Sequence, residues 1–248
     1  MTLDRDATRL GILGGTFDPV HNGHLEVAIA ARHLMRLGRV VLLPSRIPPH
    51  RTAQPAASPF HRFAMTAMAV DKVDGLEASD LELSAPGISY TSATLDRLHA
   101  VGLRPAQIFF ITGADAFAEI ETWHRYPEVL DMAHFVVVSR PGHAASALPA
   151  VIPSLAPRMR ACPDRAEQVE GWPQQPAGVE GNPAVFLIDW KTPVVSSTEI
   201  RRRIRSGETL TGLVPPAVER HIVQHRLYGE DAAPQGAAAA ADHLHGKD

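Results

Sequence analysis

Two glycines and two histidines stand close together near the start of the chain. In GGTFDPVHNGH, residues 14–24, Gly14 and Gly15 end an apolar run, and His21 and His24 follow three residues apart. Glycine lets a backbone turn sharply and approach a ligand closely. Imidazole donors beside a helix start suit an anion such as polyphosphate. The spacing by itself leaves two roles open for His24, packing in the core or binding phosphate.

Other chemistry is disfavoured at this segment. A zinc site needs a third protein ligand and usually takes histidines at i, i+4 or wider spacing. Neither the G-x-G-x-x-G dinucleotide pattern nor the phosphate loop G-x-x-x-x-G-K-[ST] is present, which argues against hydride transfer. Asn22 is the expected cap of a helix that begins near Gly23, so His24 lies in its first turn.

A second candidate anion site lies in VSSTEIRRRI, residues 195–204. Ser196, Ser197 and Thr198 offer a helix cap and free hydroxyls, and Glu199 is a candidate for a capping box. Arg201 lies one turn inside, where its planar fork of donors can reach phosphate. The alternative is an ordinary capped helix with a solvated basic face, formed by Arg201, Arg202, Arg203 and Arg205.

These motifs sit among alternating apolar runs and helical segments. The runs span residues 9–15, 39–45, 107–113, 134–140 and 184–190, with a more polar, edge-like strand expected near 76–83; helices are expected at 22–36, 58–72, 91–101 and 197–206. Near-continuous apolar runs are typical of strands covered on both faces. We therefore predict an α/β fold, a Rossmann-like open, mostly parallel sheet with helices on both faces and a small C-terminal helical part. Ligands should gather at the carboxyl ends of the strands.

We expect one domain over residues 9–229. Within it, the proline-rich stretch 141–183 is predicted to be a surface insertion and 191–229 a C-terminal helical subregion. The alanine-rich tail 230–248 is predicted to be disordered.

Composition limits the function further. The chain has 248 residues, 45% of them apolar, and a net charge of −3, which argues against a broad nucleic-acid surface. Cys162 is the only cysteine, so neither an intramolecular disulfide nor a cysteine-based metal site can form. No run approaches ~20 apolar residues and no signal-type segment opens the chain, so we expect a cytoplasmic protein without a membrane partner. The composition is compatible with either a monomer or a homo-oligomer.

The motifs together resemble those of a known family. GGTFDPVHNGHL and SSTEIR resemble the HxGH nucleotidyltransferase superfamily. PSRIPPHR (44–51), ISYTSATL (88–95), TGADAFAEIETWHRYPEVL (112–130), SRPG (139–142) and LVPPAVERHIVQHRLYG (213–229) are similar to segments of bacterial nicotinate-nucleotide adenylyltransferases. The resemblance runs from Leu10 to about Gly229 and is poorest over 141–183.

This resemblance implies a reaction. The family transfers the adenylyl group of ATP to nicotinate mononucleotide and releases pyrophosphate, with Mg²⁺ carried by ATP. The nucleophile is a phosphate oxygen that is ionised at neutral pH, so no general base is required. Catalysis then depends on aligning two charged substrates and neutralising charge in the transition state.

The resemblance also implies roles for residues. The expected catalytic residues are His21, His24 and Arg201. ATP would meet Gly14, Gly15, Thr16, Phe17, Gly113, Asp115, Ser197 and Thr198. The second substrate would meet His50, Arg51, Tyr90, Thr91, Trp123, His124 and Arg140. Its ring would lie on Trp123, its carboxylate at the helix start after Tyr90 and its phosphate near Arg140, His50 and Arg51. No protein ligand for a metal is implied.

Some alternatives remain open. Asp115 also suits a helix cap, and an aromatic such as Trp123 is more often a core residue than a ligand platform. Many relatives have lysine in place of Arg51 and tyrosine or lysine in place of His124, which bears on selectivity. The rival functions are another adenylyl- or cytidylyltransferase, acting on pantetheine phosphate or nicotinamide mononucleotide, and a non-catalytic nucleotide sensor.

Overall fold

The computed structural model describes residues 9–49, 54–162 and 183–229. Its strands are β1 (Leu10–Gly15), β2 (Arg39–Pro44), β3 (Leu76–Ala78), β4 (Ile108–Gly113), β5 (His134–Val138), β6 (Met159–Ala161) and β7 (Val185–Ile188). Its α-helices are α1 (Asn22–Leu34), α2 (Pro59–Val70), α3 (Thr91–Ala100), α4 (Ala114–Phe117), α5 (Leu148–Val151), α6 (Ser197–Arg205) and α7 (Pro216–Gln224).

The strands form one open sheet in the order β3-β2-β1-β4-β5-β7-β6, and every pairing is parallel. Helices α1, α2, α6 and α7 pack on one face and α3, α4 and α5 on the other, so that each face has its own apolar core. Strands β4 and β5 are buried along their whole length because both faces are covered. The predicted Rossmann-like fold class is confirmed.

The topology creates a crevice beside β1. From β1 the chain proceeds through β2 to β3 on one side and then returns to β4 on the other side of β1. The carboxyl ends of β1 and β4 therefore flank the point at which the strand order reverses, which is where open α/β sheets bind ligands. Gly14 and Gly15 end β1, and Gly113 ends β4.

The proline-rich stretch differs from the prediction where the structure describes it. Residues 145–161 form short helical turns, α5 and the edge strand β6, and they bury Ala145, Leu148, Ile152, Leu155 and Met159. The expectation of a surface insertion does not hold for these residues, because prolines at the starts of short helical turns are compatible with a packed segment. Residues 163–182 and the predicted disordered tail lie outside the described residues.

The longest helix of the described chain, α1, has 13 residues. No helix in that part of the chain has both the length and the apolar character needed to cross a bilayer.

Candidate active site

A cleft of about 280 Å³ opens at the carboxyl ends of β1 and β4. It joins the first glycine motif to the residues expected to bind the second substrate, and the expected residues that line it are Gly14, Gly15, Thr16, Tyr90, Thr91, Trp123 and His124. A side chain at position 15 would have its Cβ 2.8 Å from the ring of Phe17, whose own φ is 49°. Gly15 is therefore required by the tight turn that brings the Phe17 ring back against β1.

The predicted cap of α1 was placed one residue too late. His21, not Asn22, occupies the cap position, with extended backbone angles (φ −146°, ψ 169°). The Asn22 side chain donates instead to the carbonyl of Gly212 at 2.8 Å, and the Asn22 N–H donates to Leu213 at 2.9 Å. Asn22 thereby ties the start of α1 to the loop before α7.

His21 and His24 form a stacked pair at the start of α1. Their ring centroids are 3.6 Å apart with an interplanar angle of 18°, and the Phe17 ring packs edge-on against His24 at 4.9 Å. His24 Nδ1 lies 3.2 Å from the backbone nitrogen of His21. A backbone N–H can only donate, so His24 Nδ1 is the acceptor and the neutral ring carries its proton on Nε2.

Both histidines are uncharged at neutral pH. Burial lowers the pKa of His21 to about 3, and the positive charge of Arg140 acts in the same direction. Burial also holds the pKa of His24 well below its usual range, with further contributions from His21 and Arg140. Within the described residues, the buried His21 Nδ1 has no hydrogen-bond partner. The pair therefore offers neutral donors to a ligand.

The start of α6 is fastened to the turn that precedes α1. The Ser197 hydroxyl donates to the carbonyl of Pro19 at 2.9 Å, and Arg201 Nη1 donates to the carbonyl of Asp18 at 2.6 Å. Arg201 Nη2 donates to Thr198 Oγ1 at 3.2 Å, which leaves the Thr198 hydroxyl hydrogen free for a ligand. Two motifs about 180 residues apart in the sequence thus share one turn.

The basic residues of α6 divide into two groups. Ser196 caps the helix by accepting from the N–H of Glu199 at 3.1 Å, but the Glu199 carboxylate binds Arg202 and Arg203 and completes no capping box. These two arginines lower the pKa of Glu199 to about 2. Arg201 alone of the three turns towards the glycine motif, so the solvated-face alternative describes Arg202 and not Arg201.

Asp115 and Arg140 meet at the end of β4. Gly113, and not Asp115, is the cap residue of α4, so the alternative role of Asp115 as a helix cap is wrong. Asp115 Oδ1 lies 3.7 Å from Arg140 Nε. A Cβ at position 113 would overlap Asp115 Oδ1 and approach Arg140 Nε to 2.6 Å. A glycine here allows this pair to cross the strand end, and Arg140 lies close enough to the histidine pair to lower both pKa values.

The opposite wall of the cleft carries aromatic rings. Tyr90 stacks on His124 with ring centroids 4.4 Å apart, and His124 Nδ1 lies 2.8 Å from Ser92 Oγ. Tyr90 is the cap residue of α3 and makes no side-chain cap hydrogen bond, so among the described residues no cap side chain occupies the first N–H groups of α3. Trp123 is half-buried and contacts Phe110 edge-on at 6.3 Å, so it belongs both to the core and to the cleft wall.

Sequence reasoning missed three buried polar residues at the site. Asp18 is 2% exposed and Arg62 is fully buried. Arg62 Nη1 donates to the carbonyls of Thr16 at 2.8 Å and Ser45 at 2.6 Å, and so joins the ends of β1 and β2. Glu82 lines the cleft and accepts from Thr94 Oγ1 at 2.7 Å, and burial raises its pKa.

One of these residues carried a readable signal. Arg62 shares the helical period of Met65, Thr66 and Ala69, which are buried on the inner face of α2. A charged residue in that stripe indicates a buried hydrogen-bonding role. Two expected substrate residues, His50 and Arg51, lie outside the described residues. Among those that are described, no group of three or more His, Cys, Asp or Glu side chains could hold a metal ion.

The sequence matches the model of a known protein family over most of its length. The cytidylyltransferase-like family model matches residues 12–203, a span that includes the histidine pair, the cleft and the start of α6. The chain is thus a cytidylyltransferase-like nucleotidyltransferase.

Similar proteins with curated names indicate a more specific family within this class. A protein of Desulfatibacillum aliphaticivorans is 37% identical over 228 residues, 89% of this chain and 99% of its own length. One of Roseiflexus sp. is 38% identical over 219 residues, 88% of this chain and 97% of its own. Both are named "probable nicotinate-nucleotide adenylyltransferase". The chain belongs to the nicotinate-nucleotide adenylyltransferase family, which confirms the resemblance of the motifs.

Solved structures agree on the fold. The nicotinic acid mononucleotide adenylyltransferase of Plasmodium falciparum, complexed with NaAD, superposes with a TM-score of 0.63 at 15% identity. The match covers 90% of this chain and 98% of that one.

Proposed function

We propose that this protein transfers the adenylyl group of ATP to nicotinate mononucleotide, a step of NAD biosynthesis. A phosphate oxygen of the mononucleotide attacks the α-phosphorus of ATP. A new P–O bond forms, the bond from the α-phosphorus to the bridging oxygen breaks, and pyrophosphate leaves with the electron pair. No covalent enzyme intermediate is needed, because the nucleophile is already an anion.

One observation supports the proposal most directly: the first turn of α6 is hydrogen-bonded to the Asp18–Pro19 turn, which joins the cleft residues 14–16 to the start of α1. The N–H groups and positive dipole of both helix starts favour anions. The donors that accompany them are the imidazole N–H groups of the histidine pair and the guanidinium of Arg201. Converging donors of this kind suit a triphosphate, whose charge increases on the leaving group as the bond breaks.

ATP is assigned to the β1 side of the crevice. The backbone of Gly14, Gly15 and Thr16 lines the cleft, where the nucleotide can approach closely. Gly113 and Asp115 are assigned to the adenosine end, with Asp115 as an acceptor for sugar hydroxyls. The Ser197 hydroxyl already donates to Pro19, so we assign phosphate binding at this residue to its backbone N–H.

Nicotinate mononucleotide is assigned to the aromatic wall. Its ring would lie against Trp123 near His124, and its carboxylate would accept from the open N–H groups after Tyr90 and Thr91. A neutral amide would leave some of these donors unpaired, which favours the acid. Arg140 would neutralise the mononucleotide phosphate or the α-phosphate, because it lies 3.7 Å from Asp115 and close enough to the histidine pair to lower the pKa of both rings.

Over residues 9–49, 54–162 and 183–229, no group of three or more His, Cys, Asp or Glu side chains could hold Mg²⁺. Mg²⁺ prefers carboxylate, phosphate and water oxygens, whereas the donors around the Asp18–Pro19 turn are N–H and O–H groups. The Asp18 carboxylate is occupied by hydrogen bonds from the protein. An ion used in the reaction would therefore be held by the phosphates of ATP.

The proposal is tested by measuring pyrophosphate release from purified protein with ATP, Mg²⁺ and nicotinate mononucleotide, with the dinucleotide product identified by mass. We expect both products in equal amounts. ATP binding without pyrophosphate release with any mononucleotide would indicate a nucleotide sensor instead. Release with phosphopantetheine alone would indicate a different transferase of the family.

A further inference from the structure

We infer that Tyr228, near the carboxyl end of the described chain, positions Arg201 for phosphate through the buried carboxylate of Asp18. The inference rests on the proposed function in taking Arg201 as the arginine that binds the triphosphate. It adds a positioning residue that lies 210 residues from Asp18 in the sequence.

The Asp18 carboxylate is held from two directions. Oδ2 accepts from the N–H of Ala56 at 2.8 Å, and Oδ1 accepts from the N–H of Ala57 at 3.0 Å and from the Tyr228 hydroxyl at 2.9 Å. Asp18 is 2% exposed, so these donors replace water around a buried anion. Removing one of them leaves part of that anion unsatisfied.

Arg201 is the cation next to the Asp18 carboxylate, so its position should change when that carboxylate loses a hydrogen-bond donor. Its Nη1 lies 2.6 Å from the carbonyl of Asp18 and 3.7 Å from Asp18 Oδ2. The guanidinium thus sits beside the carboxylate but bonds to the backbone and to Thr198. Without the Tyr228 hydroxyl, we expect the carboxylate to draw the guanidinium inwards, away from Thr198 and from a bound phosphate.

The local backbone supports a specific role for Tyr228. Its φ is 69° and that of Arg226 is 51°, in the left-handed region that residues with side chains rarely adopt. Tyr228 is nonetheless 4% exposed, with its hydroxyl directed to Asp18. A chain that only needed to fill the core could place an apolar side chain here without a hydroxyl to satisfy.

The test is a double-mutant cycle on turnover and on phosphate binding. Tyr228→Phe keeps the ring and removes the hydroxyl, and Tyr126→Phe, a half-buried tyrosine of the other core, is the matched control. We expect Tyr228→Phe to lower kcat/KM for ATP about 10-fold in the parent and to have no further effect in Arg201→Ala. An equal loss in both backgrounds, or no loss in the parent, would overturn the inference.

Binding of tripolyphosphate tests this inference independently of the proposed function. Its binding, measured by calorimetry, needs no mononucleotide, and we expect the same dependence on Tyr228 and Arg201. If the parent binds tripolyphosphate with this coupling but shows no transferase activity, the proposed function fails and the inference stands. If the enzyme is active and the coupling is absent, the inference fails alone.

If Tyr228→Phe does not yield folded protein, a second variant tests the contact between Asp18 and Arg201. Asp18→Asn keeps one oxygen acceptor for Tyr228, places an amide N–H against the N–H of Ala56 and removes the negative charge that lies 3.7 Å from Arg201. We expect kcat/KM for ATP to fall about 10-fold or more when Arg201 is present and to be unchanged by the substitution in Arg201→Ala. Equal losses in the two backgrounds would contradict the inference.

Discussion

The rings of His21 and His24 stack with centroids 3.6 Å apart, and His24 Nδ1 accepts the backbone N–H of His21. The spacing of three residues allows this, because the cap residue and the third residue of a helix lie one above the other. The hydrogen bond from the His21 N–H fixes the tautomer of His24 and leaves its Nε2–H for a ligand. The two rings are therefore held as one oriented, neutral pair, and we propose that they donate to phosphate.

The first prediction concerns His24. We expect His24→Ala to lower kcat about 10²-fold or more, because a donor to the charge that develops in the transition state is lost. Circular dichroism should show a retained fold, and His33→Ala, at an exposed position of the same helix, is the matched control. Unfolding of His24→Ala would instead make His24 a core residue.

The second prediction concerns the pH dependence of stability. His21 stays neutral in the folded protein down to a pKa of about 3, whereas in the unfolded chain it takes up a proton near pH 6.5. Its contribution is thus fully present above pH 6.5 and is lost as the pH falls towards 3. Between pH 7 and 5, the free energy of unfolding of the parent should fall by about 1–2 kcal/mol more than that of His21→Gln.

Urea unfolding at several pH values measures this difference. His33→Gln serves as the control on the exposed side of α1. Parallel profiles for the parent and His21→Gln would show that His21 is not held neutral by its surroundings.

The third prediction separates Arg201 from its neighbours on α6. Arg201→Lys should lower kcat/KM for ATP about 10- to 100-fold, because lysine cannot reproduce the fork that bonds Asp18 and Thr198 together. Arg202→Lys should change it less than about 2-fold, since Arg202 pairs with Glu199 and Glu208 in solvent. Equal losses in the two variants, measured by steady-state kinetics, would place the basic face as a whole in the site.

The fourth prediction concerns the buried Arg62. Arg62→Lys should lower the free energy of unfolding by about 2–4 kcal/mol, because backbone carbonyls at the ends of β1 and β2 lose donors in a buried site. Thermal unfolding measures this, with Arg205→Lys on the exposed face of α6 as control. A melting temperature unchanged by Arg62→Lys would mean that lysine satisfies the same carbonyls.

Local patterns predicted much of this architecture. The apolar runs coincide with β1, β2, β4, β5 and β7 because buried parallel strands need no polar face. The serines at 196 and 197 predicted the start of α6 because a hydroxyl can cap a helix without tertiary help. The edge strand β6 has three residues, too few to show a period, and it lies in a segment whose prolines suggested a loop.

The arrangement of the site depended on tertiary contacts. Glu199, three residues before Arg202, is a local partner for that side chain. The Asp18 carbonyl that accepts from Arg201 lies 183 residues away in the sequence, so this contact has no local signal. The pairing of Tyr228 with Asp18 joins the two ends of the described chain and has no short-range pattern. The sequence did not predict Gly113 as the cap residue of α4, because a glycine after a strand is equally typical of a turn.

The most direct test of the central claim compares the two pyridine mononucleotides as acceptors. Turnover of purified protein with ATP should be measured over a range of nicotinate mononucleotide and then of nicotinamide mononucleotide. We expect kcat/KM to favour the nicotinate form by at least about 10²-fold, because a carboxylate can accept from more of the N–H groups at the start of α3 than an amide can. Equal turnover of both, or a preference for the amide, would contradict the account.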